Sequence, residues 1–262
     1  MSFQHDRFDQ VDQAPSADPF ITFLDRIDRV PDVRERRRRS YDLLRFGSGQ
    51  RVADIGSGIG TVCRELADLG AETVGIDASE AMISAARSRH PDLDFRVATA
   101  ESLPFADGEL AGYRAERLYQ HIGDPRPALA EAHRALAARG RIVLIDQDWD
   151  GFLIDADDRA TTRAIRESYT DSFRNGSVGR QYRRHLLEAG FEDVAIEIDG
   201  RVLTDFGLFG PLLRDIVNKS VEARAVTAEA GEGWLADQEG RAAEGQFLAL
   251  MTHVLAAATR PA

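Results

Sequence analysis

The 262-residue chain has a single cysteine, Cys63, and a single lysine, Lys219, and nowhere do about eighteen apolar residues run together. One thiol excludes an intramolecular disulfide and a cysteine-based zinc site, and it suits the reducing cytoplasm. The apolar runs are too short for a membrane-spanning helix. The opening MSFQHDRFDQVDQAPSADP lacks the basic-then-apolar order of a signal peptide. Positive charge is also in deficit. With a net charge of -11 and a pI near 5.1, most of the surface would repel a polyanion, so neither nucleic acid nor a membrane is the expected partner. The one basic run, five arginines between Arg34 and Arg39, reads as a solvated helix face. What remains is ordinary: 43% hydrophobic and 29% charged residues, the balance of a soluble globular chain with a sizeable core.

Apolar periodicity divides the chain. Residues 1–19 are polar and read as a flexible tail, and 20–46 as a helical cap of two short helices separated at Pro31. Residues 47–150 alternate between strand and helix periods. Short strands are expected at 51–55, 72–76, 93–97, 110–115 and 141–146, with helices at 61–69, 79–89 and 125–138. Such alternation implies a parallel sheet wound on both faces. In 151–262, helices at 157–174 and 178–189 lead to a strand at 193–198, a mostly helical insertion, and an apolar run at 247–259 that suits a last strand.

The informative segment is Val52 to Gly60, a strand running into Gly56-Ser57-Gly58-Ile59-Gly60 and opening a helix. Glycines there let the backbone turn sharply and approach a ligand at the strand's carboxyl end. Asp77, 21 residues after Gly56, ends the next strand, where a carboxylate can accept hydrogen bonds from two ribose hydroxyls. A dinucleotide site requires G-x-G-x-x-G, and position 61 is Thr. Asp54, two residues before the first glycine, would oppose a pyrophosphate but suits a cationic amine or sulfonium. The spacing therefore disfavours a nicotinamide oxidoreductase and favours S-adenosylmethionine.

With these residues the chain resembles the class I S-adenosylmethionine-dependent methyltransferases, in particular the small-molecule group similar to the ubiquinone/menaquinone methyltransferases. The resemblance is carried by D-x-G-x-G-x-G from Asp54, by Gly75-Ile76-Asp77, by the segment ATAESLPFADG from Ala98 to Gly108, by Glu116 to Pro125, and by Ala137 to Asp146. It implies a Rossmann-like doubly wound, seven-stranded sheet in the order 3-2-1-4-5-7-6, with the helical cap before it and the helical insertion before the last strand. It also implies S-adenosylmethionine as cofactor and S-adenosylhomocysteine as product. The implied cofactor contacts are Asp54, Gly56, Ser57, Gly58, Gly60, Asp77, Ala78, Met82, Thr99, Ala100 and Glu101. Two departures stand out: Thr99 replaces the usual adenine-side Asp, and Ala138-Arg139 replaces a Pro-Gly turn.

Methyl transfer asks the protein to align a nucleophile and remove one proton. His121, Asp146 and Asp148 follow the fourth and fifth strands and are the candidate catalytic groups; Tyr119, Gln120 and Trp149 are the candidate substrate contacts. No metal is expected, since the two aspartates lack a third oxygen ligand. Cys63, inside a core helix, is no candidate nucleophile for cytosine, and no N-P-P-Y or D-P-P-Y segment occurs. The acceptor is therefore expected to be a small molecule of specialised metabolism, methylated at O, N or C, with the oligomeric state open. The alternative is a methyltransferase-like chain that no longer methylates: a cyclase, lyase or pericyclic catalyst, or a partner subunit.

Overall fold

The computed structural model describes residues 8–262. A 3₁₀ turn at Phe8–Gln13 leads to α1 (Asp18–Ile27) and α2 (Pro31–Leu44), the latter opened by Pro31 and closed by Arg45 in a left-handed conformation. Then come β1 (Arg51–Ile55), α3 (Thr61–Asp68), β2 (Glu72–Asp77), α4 (Glu80–Arg89), β3 (Asp94–Val97), β4 (Leu110–Glu116), α5 (Arg126–Ala135) and β5 (Leu136–Gln147). The second half holds β6 (Leu153–Ile154), α6 (Arg159–Ser172), α7 (Val178–Glu188), β7 (Glu192–Leu203), α8 (Phe206–Glu222), α9 (Ala228–Ala243) and β8 (Ala249–Thr259). Ser79 caps α4 by accepting from the Met82 N–H, while Gly70 and Gly190, at φ +93° and +88°, end α3 and α7.

The strands run β3-β2-β1-β4-β5-β8, parallel as far as β5, with antiparallel β8 flanked by β7. With the two-residue β6 set aside, β8 takes the seventh place and β7 the sixth, so the order is 3-2-1-4-5-7-6. Helices α5 and α7 cover one face through Leu129, Ala132, Tyr182 and Leu186 against Ile55, Ile76 and Leu144. Helices α2 and α3 cover the other through Leu43, Leu44 and Leu66 against Val52, Val143 and Ile145. A separate cluster around Trp149, Phe173, Ile216 and Trp234 joins α6, α8 and α9 into a roof.

Several expectations are corrected. The strand expected at 193–198 is longer than the periodicity suggested, because β7 keeps pairing with β8 down to Leu203. The third core helix stops at Ala135, since Leu136 already pairs with Leu110 across a bulge. The segment expected to be a flexible tail buries Val11, and the Asp12 carboxylate caps α4 by accepting from Ser79 Oγ and the Glu80 and Ala81 N–H groups. The arginine run is a solvated face only in part, with Arg34, Arg38 and Arg39 exposed. Arg36 and Arg37 are 5% and 3% exposed, and α2 is laced to β7 by Arg39 to Glu197, Arg36 to Asp199 at 2.9 Å and Arg201 to Asp32 at 2.8 Å.

Asp146 and Asp148, expected beside an acceptor, serve the fold instead. Asp146 is fully buried and accepts from the Tyr119 and Gln120 N–H groups, both at 3.3 Å, and from the Tyr182 hydroxyl. Asp148 forms a two-pronged pair with Arg180. Burial pushes the Asp146 carboxyl up to about 7 against the pull of these donors. A carboxyl whose pKa rises on folding binds its proton more tightly in the native state, so stability falls as pH rises from about 4 to about 7. Urea denaturation across that window should therefore show wild type losing stability relative to Asp146→Asn. The opposite slope would mean that the three donors hold Asp146 ionised.

Candidate functional site

Along the carboxyl ends of β1, β2 and β4 lies a cleft of 960 Å³, closed above by α1, the start of α2 and α8. Its first half is built by the glycine turn. Gly56 and Gly58 line it at φ +74° and +52°, and a Cβ on either would stand 3.3 Å from Leu118 or 3.2 Å from Leu24. Glycine is needed there both for the turn and for room. Asp77 faces the turn and is held at both oxygens, accepting from the Gly58 N–H and the Ser79 N–H at 2.9 Å each. Burial raises its pKa, and these two donors oppose the rise. Ala78, Met82, Thr99, Ala100 and Glu101 complete this half.

Three of the expected cofactor contacts lie outside the cleft. Ser57 is buried, its Oγ 2.9 Å from where a Cβ of Gly75 would stand, and Gly60 packs on Phe95. Asp54 is the third and the most instructive. Its carboxylate is buried against Arg114, 2.9 Å away, and burial raises its pKa to about 6 despite that partner. Glu116, not among the expected contacts, does line the cleft. Burial would raise its pKa, but Arg114, Arg36 and Arg117 outweigh burial and hold it below the usual carboxylate range. Its Oε1 has no hydrogen-bond partner among the described residues.

The second half has one aromatic wall. Trp149 stacks on Phe173 with centroids 5.2 Å apart and donates through Nε1 to Gln120 Oε1 at 3.0 Å; Gln120 Nε2 lies 3.2 Å from His121 Nε2. Gln120, His121 and Trp149 all line the cleft. Tyr119 does not: it is fully buried, with its hydroxyl 2.9 Å from that of Tyr113. The far wall comes from residues with no local signal. Gln147 and His253 are register partners on β5 and β8, Arg201 follows on β7, and Leu208, Phe209 and Leu212 descend from α8. Only the period-two alternation of Met251 and His253 in the last strand could have placed these two on the same face.

The donor set suits a cationic nucleoside with an amino-acid end. A fixed carboxylate stands where two hydroxyls can be taken, an apolar slot between Met82 and Ala100 admits a flat base, and a buried carboxylate oxygen on Glu116 lacks a donor. Among the described residues no three His, Cys, Asp or Glu side chains come together as a metal site.

Comparison with known proteins agrees with this geometry. Residues 53–144 match the family model of a methyltransferase domain. The chain is 33% identical over 231 residues to an uncharacterised 37.1 kDa protein of transposon TN4556 from Streptomyces fradiae, covering 84% of this chain and 66% of that protein. It is 34% identical over 114 residues to the demethylmenaquinone methyltransferase of Renibacterium salmoninarum, covering 44% of this chain and 48% of the relative. The chain thus spans about two thirds of the first relative and about half of the second. In fold it resembles the YcgJ protein of Bacillus subtilis, with a TM-score of 0.58, 17% identity, and coverage of 84% of this chain and 96% of that one. With the glycine turn, the anchored Asp77 and the strand order in place, residues 53–144 are a methyltransferase domain of the class I S-adenosylmethionine-dependent kind.

Proposed function

We propose that the cleft binds S-adenosylmethionine and that the chain transfers the methyl group to O, N or C of a small molecule of specialised metabolism in the cytoplasm. The observation that carries this reading is Asp77, its two oxygens fixed by the Gly58 and Ser79 N–H groups and its carboxylate directed into the cleft. No helix among the described residues is long and apolar enough to cross a membrane, and a roof built from the chain's own helices supports a diffusible acceptor rather than a polymer.

When bound, the cofactor supplies a methyl carbon activated by its sulfonium. The residues have the following roles in this reading. Asp77 accepts from the ribose hydroxyls, with Met82, Thr99, Ala100 and Glu101 around the base. Glu116 takes over the part expected of Asp54 and receives the amino group, a charge-assisted contact at a buried oxygen otherwise lacking a donor. Gln120 and Trp149 hold each other by one hydrogen bond and form a rigid wall for the acceptor. His121, fixed beside Gln120, accepts the proton that leaves an O–H or N–H nucleophile.

Calorimetry with S-adenosylhomocysteine should give a complex that Asp77→Ala weakens by about 1.5–3 kcal/mol, the scale of charge-assisted hydrogen bonds. Unchanged affinity would remove Asp77 from the site. Once an acceptor is identified, His121→Ala should lower turnover about 10²- to 10⁴-fold with little change in cofactor affinity. A smaller loss that follows acceptor affinity would make His121 an orienting group only. Turnover of an acceptor without release of S-adenosylhomocysteine would favour the non-methylating alternative.

A further inference from the structure

The inner end of the cleft contains more arginine than its own acids neutralise. Arg117, just past β4, lines the cleft with its backbone in the left-handed region at φ +55°. Non-glycine residues held there are commonly found where a ligand is engaged. Among the described residues its guanidinium makes no hydrogen bond and has no carboxylate within 4 Å. Arg36, from α2, reaches the same space; it shares Glu116 at 3.6 Å and Asp199 at 2.9 Å, yet its Nε has no hydrogen-bond partner. Arg201, from β7, stacks on Phe209 with its guanidinium 4.8 Å from the ring centroid. Its Nε is near Asp32 but makes no aligned bond. Asp199 and Asp32 sit towards the rim, with side chains 39% and 51% exposed, so water weakens their hold on these arginines. The one carboxylate buried among the three guanidinium groups is that of Glu116.

His253 records the resulting field. It is 2% exposed and lines the same end. Burial and then Arg36, Arg117 and Arg201 hold its imidazole neutral, while Glu116 opposes them. In a chain of net charge -11, a focused positive end within a largely apolar cleft is a recognition feature rather than a general property of the surface.

We propose that Arg117, Arg36 and Arg201 form an anion subsite, and that the acceptor is an amphiphilic acid whose carboxylate or phosphate docks there while its apolar body lies along Val33, Phe209 and Met251. The planar guanidinium groups offer the paired donors that both anions accept. The proposal rests on reading the cleft as an acceptor site.

The test uses the full chain with S-adenosylhomocysteine at saturation, at fixed ionic strength, and titrates octanoate, octyl phosphate, octanamide and 1-octanol in a Trp234→Phe background, so that the fluorescence followed is that of Trp149. The two anions should bind at least tenfold more tightly than the two neutral probes, and Arg117→Gln and Arg201→Gln should each reduce that preference severalfold. Equal binding of acid and amide in that background would overturn the proposal, and this comparison needs no arginine variant to fold. A preference seen only without S-adenosylhomocysteine would overturn it too, by assigning the arginines to the cofactor's own carboxylate; so would Arg117→Gln weakening S-adenosylhomocysteine but not octanoate. If wild type fails to bind S-adenosylhomocysteine, the methyl-transfer reading falls, and the acid-over-amide preference still decides the subsite.

Discussion

Arg114 is the charge around which the site is organised. It is 1% exposed in the middle of β4, and a guanidinium so placed must have every donor answered, because an unpaired buried charge is among the costliest defects a fold can carry. Its Nη1 meets Asp54 at 2.9 Å, its Nη2 meets Glu116 at 2.5 Å, and its Nε meets Ser40 Oγ at 2.8 Å. One side chain thus joins β1, the end of β4 and α2. Asp54 is consumed by this joint and cannot serve a ligand, whereas Glu116, at the strand end, has one oxygen to spare. The acidic side chain that lines the cleft here therefore comes from the fourth strand rather than the first.

The same joint fixes the cap. Ser40 accepts from Arg114, and one turn away Arg37 pairs with Asp28 and Glu65, while Tyr41 donates to Glu65 at 2.6 Å. Helix α2 is therefore held by buried polar contacts through Arg37, Ser40 and Tyr41 and by its ladder to β7 through Asp32, Arg36 and Arg39. Its first turn, with Val30 and Val33, forms part of the cleft ceiling. A roof attached this way presents apolar residues along the cleft while its cations gather at one end of it. That division gives the cleft one oily flank and one polar end.

What could be read from the residues alone was whatever depends on short spacing. The glycine turn, Asp77 at the next strand end, the helix starts at Ser79 and Pro31, and the alternation that dictates a parallel sheet are each encoded within about ten residues. They appear where expected. Local spacing also brought Gln120, His121 and Trp149 to the cleft. It failed at Tyr119, Asp146 and Asp148, because a strand-end residue can face either the cleft or the core. Asp146 turns inward to meet Tyr182, 36 residues on, a partner no periodicity announces.

The arginine run makes the same point in reverse. Five arginines in six residues look solvated because most of the acids that pair with them are far away in sequence. The partners of Arg36 and Arg39, Asp199 and Glu197, lie about 160 residues further on, on β7. Once β7 is laid beside α2, the pattern becomes a register: Asp32, Arg36 and Arg39, four and three residues apart along the helix, meet Arg201, Asp199 and Glu197, two apart along the strand. Rise per residue in a helix is less than half that in a strand, so two ladders of these spacings stay in step over such a length. The reversal at one rung, acid on the helix and base on the strand, brings Arg201 to the cleft beside Phe209 and Met251. That placement, set by long-range pairing, gives the far end of the site its cation.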